Sequence, residues 1–151
     1  MSVLNIVVVG VGGQGLLTMS RLLVESAKAK GYDATAAETH GMSQRGGSVI
    51  VYVRIGKEVL SPTIPPGFAH YILSTELMET IRNSVYANRD TMVITNTKII
   101  YPAIPGAVKF VSEEEALKWL KEHISRLYPI AARGGEHERS ISLDSYDDRA
   151  Y

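Results

Sequence analysis

The sequence predicts an α/β domain of three layers, with helices on both faces of a mostly parallel sheet. Two observations carry this. Short β-branched runs alternate along the chain with segments of helical spacing, the pattern of strand–helix–strand units. The first strand-like run is also rich in β-branched residues and reads as a strand covered on both faces. The 151 residues suit one such domain with a sizeable core. Residues 1–130 are assigned to it, and 131–151, polar and aperiodic, to a mobile C-terminal tail.

The elements follow in order. VLNIVVVG (3–10) is a doubly covered strand that stops at glycine. LLTMSRLLVESAKAKG (16–31) sets Leu16, Met19, Leu22, Leu23 and Ala27 at helical spacing and ends on Gly31, a natural helix terminator. YDATAAE (32–38) reads as a second strand and GSVIVYVRIG (47–56) as a third, with Val49, Val51, Val53 and Ile55 on one face by the period of two. A Pro-rich connection covers 58–67. A short strand over 69–76 runs into a helix over 76–87, and TMVITNT (91–97) is again a strand. AVKFV (107–111) is strand-like. SEEEALKWLKEHISRLY (112–128) is predicted as one helix, opened by a capping box of Ser112 and Glu115. Its apolar stripe is Ala116, Leu117, Leu120, Ile124 and Leu127.

Composition narrows function. Lys plus Arg and Asp plus Glu are both 16, so no basic excess points to nucleic acid or to a membrane surface. There is no cysteine, which removes disulfides, a thiol nucleophile and cluster ligation by this chain's own thiolates. The first apolar run is short, lacks a basic leader and ends in glycines, unlike a signal peptide or a membrane span. The expected location is the cytoplasm.

GVGGQG (10–15) places Gly10, Gly12 and Gly15 in the G-x-G-x-x-G pattern directly after a strand and before a helix. Such a turn allows close backbone approach, and the helix N-terminus favours a diphosphate. Glu38, at the end of the second strand, sits near where a dinucleotide fold keeps its ribose-binding acid. On this motif alone the chain reads as a Rossmann-like nucleotide-binding domain, or as a tight turn that binds nothing. Gly13 and Gln14 make the loop less typical of nicotinamide enzymes.

The stretch ETHGMSQRGG (38–47) crowds Glu38, Thr39, His40, Ser43, Gln44, Arg45 and Gly46 into one loop. Arg45 brings a permanent fork-shaped cation suited to phosphate or carboxylate. Ser43, Gln44 and Thr39 bring neutral hydrogen bonds, and His40 a switchable one. The bland alternative pairs Arg45 with Glu38 inside the loop. With the second strand parallel to the first and commonly beside it, this loop and GVGGQG would share the carboxyl edge and form an anion-binding pocket.

GVGGQGLLTMSRLL (10–23) followed by AAETHGMSQRGGSVIVYVRIG (36–56) resembles the gamma-type subunit or domain of 2-oxoacid:ferredoxin oxidoreductases, and within that family the beta subunit of the indolepyruvate enzymes. A weaker block continues through AHYILSTELMETI (69–81) and MVITNT (92–97), with Glu76 and Glu79 matching an E-x-x-E feature and His70 where an acid is common. The resemblance fades after about Thr97, and the final segment looks unlike the family.

The resemblance implies a non-catalytic component. Thiamine diphosphate and iron–sulfur clusters would lie on a catalytic partner subunit, with no cofactor held tightly by this chain. Coenzyme A phosphates would meet the glycine loops at Gly10, Gly12, Gly13, Gln14, Gly15, Thr39, His40, Ser43, Gln44, Arg45 and Gly46. The isolated chain would be inactive and would carry an exposed apolar or mixed face for that partner or for a homo-oligomer. A free-standing nucleotide-binding protein is the alternative, and an assembly protein with an empty loop a third. His70, on a strand-like apolar run, reads as a packed or surface residue, His123 and His137 lack metal-ligand spacing, and Trp119 reads as a half-buried aromatic.

Overall fold

The computed structural model describes residues 3–40, 46–101 and 110–132. Six strands form one sheet: β1 Leu4–Val11, β2 Asp33–His40, β3 Ser48–Gly56, β4 Tyr71–Ser74, β5 Met92–Asn96 and β6 Arg126–Ile130. Three α-helices accompany them: α1 Leu16–Ala29, α2 Leu77–Arg82 and α3 Glu113–His123, with a 3-10 turn at Ser84–Tyr86. The order across the sheet is β2-β3-β1-β4-β5-β6.

The α/β class is as expected, but the sheet is mixed. β1, β4, β5 and β6 run parallel, whereas β3 pairs antiparallel with both β1 and β2. β2 therefore points the same way as β1 without lying beside it. The antiparallel direction of β3 follows from its connection to β2, residues 41–47. That connection is too short for a crossover, which takes roughly a dozen residues or more, so the two strands must form a hairpin.

β1 sits at the centre, and Val7, Val8 and Val9 are fully buried. On one face Ile6 and Val8 pack with Leu16, Val24 and Ala27 of α1 and with Val51 and Val53 of β3. On the other, Val7 and Val9 pack with Ile72, Val93 and Tyr52, and Ile124 and Leu127 close over them. Leu77 of α2 and Leu120 of α3 form a third cluster that joins the second through Ile124 and Leu127. Helix α1 ends in a left-handed Gly31 (φ 82), whose N–H donates to the Lys28 carbonyl; glycine enters that region without a Cβ penalty.

Helix α3 is shorter than the predicted 112–128. The capping box is present: Ser112 Oγ accepts from Glu115 N, and the Glu115 carboxylate accepts from Ser112 N. The helix nevertheless stops at His123, and Arg126–Ile130 becomes β6. Pairing with β5 takes these residues out of the helix, and Pro129 bars helix only from about Tyr128 onward, since it lacks an N–H, its ring would strike the carbonyl four residues back, and it disfavours helix at the residue before it. Leu127 still serves the core, now as a strand residue opposite Val93. Ile130 turns its carbonyl to β5, accepting from Thr97 N; by strand alternation the proton-less nitrogen of Pro129 faces the open edge, which blunts it against further pairing.

The helix predicted over 76–87 resolves into α2 and the 3-10 turn. Of AVKFV, residues 107–109 lie outside the described residues, and Phe110 and Val111 are not in a strand. The tail from Arg133 also lies outside them.

Candidate functional site at the carboxyl edge

Because β1 and β2 point the same way, both glycine loops reach one edge of the sheet. They touch there: Gly12 N donates to the Gly47 carbonyl at 2.9 Å. Gly13 (φ 94), Gly15 (φ 77) and Gly46 (φ 75) all adopt the left-handed region, with open space where a Cβ would stand. These three glycines answer a backbone need, not a crowding one.

Gly10 is different. A Cβ there would lie 2.0 Å from Thr75 Oγ1 and 2.9 Å from Gln14 Oε1. The space is taken by a clasp between the first loop and the end of β4. Gln14 Oε1 accepts from Val11 N at 2.8 Å and from Thr75 Oγ1 at 2.6 Å. The Thr75 carbonyl in turn accepts from Gln14 Nε2 at 3.4 Å and from Asn96 Nδ2 at 3.1 Å, and Asn96 Oδ1 accepts from Ala132 N at 3.3 Å. One hydrogen-bonded line thus ties together the carboxyl ends of β1, β4, β5 and β6.

The clasp spans the point where strand order reverses. β1 leads through α1 toward β2 on one side, and β4 leads through α2 toward β5 on the other. Open α/β sheets place their ligands at such switch points. Beside the clasp opens a cleft of about 540 Å³, a size usual for ligand sites. Val11 and Gly46–Ser48 form one wall, α2 with Glu79 and Arg82 another, and Ile99–Tyr101 a third.

Two buried acids sit at its floor. Glu76 caps α2, its Oε2 accepting from Glu79 N at 2.7 Å and its Oε1 from Ile100 N at 3.0 Å. Burial pushes its carboxyl above the ordinary range; the backbone N–H groups of Glu79, Ile100 and Met78 pull the other way, and the nearby Glu79 charge adds to the rise. Glu79 accepts from Ser48 Oγ, which ties α2 to the start of β3, and pairs with Arg82 at 3.1 Å. Arg82 remains largely exposed at the cleft.

Of the predicted residues, the structure therefore brings Gly10, Gly12, Gly13, Gln14, Gly15 and Gly46 to one edge. The Gln14 carboxamide is committed to the clasp. Thr39 is exposed opposite Ile50, and His40 ends β2 opposite Val49. Ser43, Gln44 and Arg45 lie outside the described residues. The sequence reading missed Thr75, Ser48 and Arg82. Arg82 had a signal, standing three residues after Glu79 on a helix; Thr75 and Ser48 had none. His70 is exposed, and its Nδ1 accepts from Asn5 N at 2.9 Å. Among the described residues no three His, Asp or Glu gather into a metal-ligand set, and no helix is long and apolar enough to cross a membrane.

A family profile described as "Pyruvate ferredoxin/flavodoxin oxidoreductase" matches residues 5–135, so the likeness runs well past Thr97, where the quoted motifs end. The chain is 46% identical over 131 residues to the indolepyruvate oxidoreductase subunit IorB of Archaeoglobus fulgidus, covering 85% of this chain and 65% of that one. It is 41% identical over 127 residues to the subunit of that name from Thermococcus kodakarensis, covering 77% and 63%. It thus spans less than two thirds of these relatives. In fold it is similar to the pyruvate oxidoreductase subunit PORC of Thermotoga maritima, at a TM-score of 0.60 and 16% identity over 87% of this chain and 64% of that one. It is also similar to the 2-oxoglutarate:ferredoxin oxidoreductase of Magnetococcus marinus, solved with 2-oxoglutarate, coenzyme A and succinyl-CoA bound, at a TM-score of 0.60 and 17% identity over 87% of this chain and 20% of that one. The extent of the profile match and the identity to the archaeal subunits together place it: the chain belongs to the pyruvate ferredoxin/flavodoxin oxidoreductase family.

Proposed function

We propose that the chain is the gamma-type, non-catalytic subunit of a cytoplasmic 2-oxoacid:ferredoxin oxidoreductase acting on an indolepyruvate-like acid. The observation that carries this is the 46% identity, over 131 residues, to a protein named as a subunit of indolepyruvate oxidoreductase. The chemistry is divided accordingly. Thiamine diphosphate and the iron–sulfur clusters belong to a catalytic partner, since this chain has no cysteine to hold a cluster.

Its own contribution is a shaped edge. In this reading the glycine loops and Arg45 receive the phosphates of coenzyme A, with Gln14 fixing the loop through the clasp. Arg82 offsets the charge of Glu79 beside them, so the cleft is less repulsive to an anion than two bare carboxylates would make it.

The test is a pull-down of the tagged chain from its native cells, followed by assay with arylpyruvate, coenzyme A and a low-potential dye. Co-purification of a thiamine- and cluster-bearing subunit, with activity in the complex and none in the separated chain, supports the reading. A chain that elutes alone carrying a nucleotide refutes it and favours a free-standing nucleotide-binding protein. Within an active complex, Arg45→Ala is expected to raise the coenzyme A requirement with little change in the 2-oxoacid requirement.

A further inference from the structure

The two edges of the sheet are built differently. β6 is blunted by Pro129, whereas β2, Asp33–His40, is eight residues long and holds neither Pro nor Lys. Its register with β3 runs unbroken from Asp33↔Gly56 to His40↔Val49, so no bulge turns it aside. Its two acids, Asp33 and Glu38, flank an uncharged middle of Ala34, Thr35, Ala36 and Ala37. Edges left this long and plain are templates for a further strand.

The direction of its backbone groups follows from the strands beyond it. Gly12 N donates to the Gly47 carbonyl, one step past the pair Val11↔Ser48. Backbone groups alternate along a strand, so the odd residues of β3 bond β1 and the even ones bond β2. The carbonyls of Asn5 and Val9 keep the same alternation, accepting from His70 N and Thr75 N on the other side of β1. The even residues Ile50, Tyr52 and Arg54 stand opposite Thr39, Ala37 and Thr35. Ala34 and Ala36 therefore turn their N–H and C=O groups to the open side. Among the described residues nothing bonds them there, and Ala36 is exposed.

What such an edge accepts is an extended backbone, because a strand offers donors and acceptors at the matching spacing. The sequence of β2 fits a reversed copy of itself. With Thr35 on a two-fold axis, Ala34 of each copy lies opposite Ala36 of the other. These pairs satisfy all four outward groups of each chain. The side chains that meet are small. Ala34 faces Ala36 on one side of the sheet, and the two Thr35 hydroxyls face each other on the other side, a favourable cross-strand pair. Asp33 falls opposite Ala37. Glu38 falls opposite Tyr32, beside the end of α1 with its Lys28 and Lys30. No acid then faces an acid, whereas an axis at Asp33 or at Glu38 would set like charges together.

We propose that β2 joins two copies of the chain edge to edge, antiparallel about Thr35, so that two six-stranded sheets become one.

The absence of cysteine from the sequence makes the register directly testable. Sedimentation velocity of the full chain is expected to show a reversible monomer–dimer equilibrium at roughly tens of micromolar, as a contact of modest area gives. Amide hydrogen exchange at Ala34 and Ala36 is expected to slow at least tenfold between dilute and concentrated chain. Mildly oxidised Thr35→Cys is expected to cross-link to itself at least tenfold faster than Ala37→Cys, which faces Asp33 of the other copy. Ala36→Pro removes an outward N–H without touching the ladder to β3, and Thr35→Asp sets two like charges at the axis. Both are expected to leave a monomer with an unchanged far-UV spectrum; if Ala36→Pro fails to fold, Thr35→Asp decides. A wild-type chain that stays monomeric at several hundred micromolar overturns the proposal, including when a strand of another protein takes the edge instead. So do equal cross-linking rates for the two cysteine variants, or a dimer that survives Thr35→Asp.

Discussion

Gly10→Ala tests the clasp between the first glycine loop and β4. The added Cβ would stand 2.0 Å from Thr75 Oγ1, 2.9 Å from Gln14 Oε1 and 3.2 Å from Leu16 Cδ2. Carbon and oxygen do not approach to 2.0 Å, so Thr75 must rotate or β4 must move. Either motion breaks the 2.6 Å bond from Thr75 Oγ1 to Gln14 and disturbs the 2.8 Å bond from Val11 N to the same oxygen. Two partly buried hydrogen bonds contribute about 1 kcal/mol each, and overpacking adds ~1–3 kcal/mol. The smaller entropy of an alanine-bearing unfolded chain returns about 0.5 kcal/mol. The net loss expected is roughly 2.5–4.5 kcal/mol.

Thr75→Ala alone removes one hydrogen bond without a clash and is expected to cost about 1 kcal/mol. The double variant removes the obstructing oxygen, so it is expected to be more stable than the sum of the singles predicts by ~1–2 kcal/mol. Urea unfolding at neutral pH, followed by Trp119 fluorescence and far-UV circular dichroism, measures all three. Additivity within about 0.5 kcal/mol would refute the reasoning, because it would mean that Gly10 and Thr75 do not share the space.

Three further outcomes follow from single groups. Burial raises the folded-state pKa of Glu76; its stabilising share is thus complete below the ordinary carboxylate pKa and is lost as pH rises through the raised folded value. Glu113 and Glu115, lowered by hydrogen bonds to Lys98 and Ser112, act in the opposite sense. The difference between the urea midpoints of wild type and Glu76→Gln across that window is the measurement, and a difference that does not vary with pH contradicts the account. Tyr52 is pushed up to about 12, first by burial and then by its bond to Tyr86. Ultraviolet titration is expected to show one tyrosine ionising near that value, with Tyr86→Phe bringing it down, and the associated stability is lost between its ordinary value of 10.0 and about 12. Ser112→Ala removes the cap of α3 and is expected to cost about 1 kcal/mol in a urea melt, with Ser112→Asp restoring most of it.

Much of the fold was legible in the sequence because its signals are local. The apolar run Ile6–Val9 of β1, the period-two alternation of β3, Gly31 at the end of α1 and the capping box of α3 each act over a few residues, and each is present. What was misread depends on partners. A stripe at Ile124 and Leu127 has helical spacing, yet the edge of β5 and Pro129 together favour a strand. The antiparallel pairing of β3 with β2 was readable from the seven residues that separate His40 from Ser48, whereas the pairing of β3 with β1 was not. The general preference for neighbouring parallel strands yields to that length here. The site divides in the same way. Both loops reaching one edge follows from strand direction alone, whereas Thr75, 61 residues from Gln14 in the chain, left no local trace.

The glycine pattern at 10–15 has the spacing of a dinucleotide fingerprint but a different use of its residues. In that fingerprint the glycines clear space for a pyrophosphate, and an acid ending the adjacent strand binds the ribose. Here the space before Gly10 is filled by Thr75 and Gln14, and Gly12 N already has the Gly47 carbonyl as partner. The acid is also displaced. β3 lies between β1 and β2, which sets Glu38 two strand spacings, roughly 10 Å, from β1. In register, Glu38 is level with Val51 and so with Val8, short of the edge that Val11 reaches. A ribose at the first loop would therefore have to bend back over β3 to meet it. The opening that remains lies on the α2 side, where Ser48, Glu79 and Arg82 meet the ends of the second loop and of β1. The same antiparallel strand that removes the dinucleotide geometry brings the second glycine loop back to β1, and so creates the cleft.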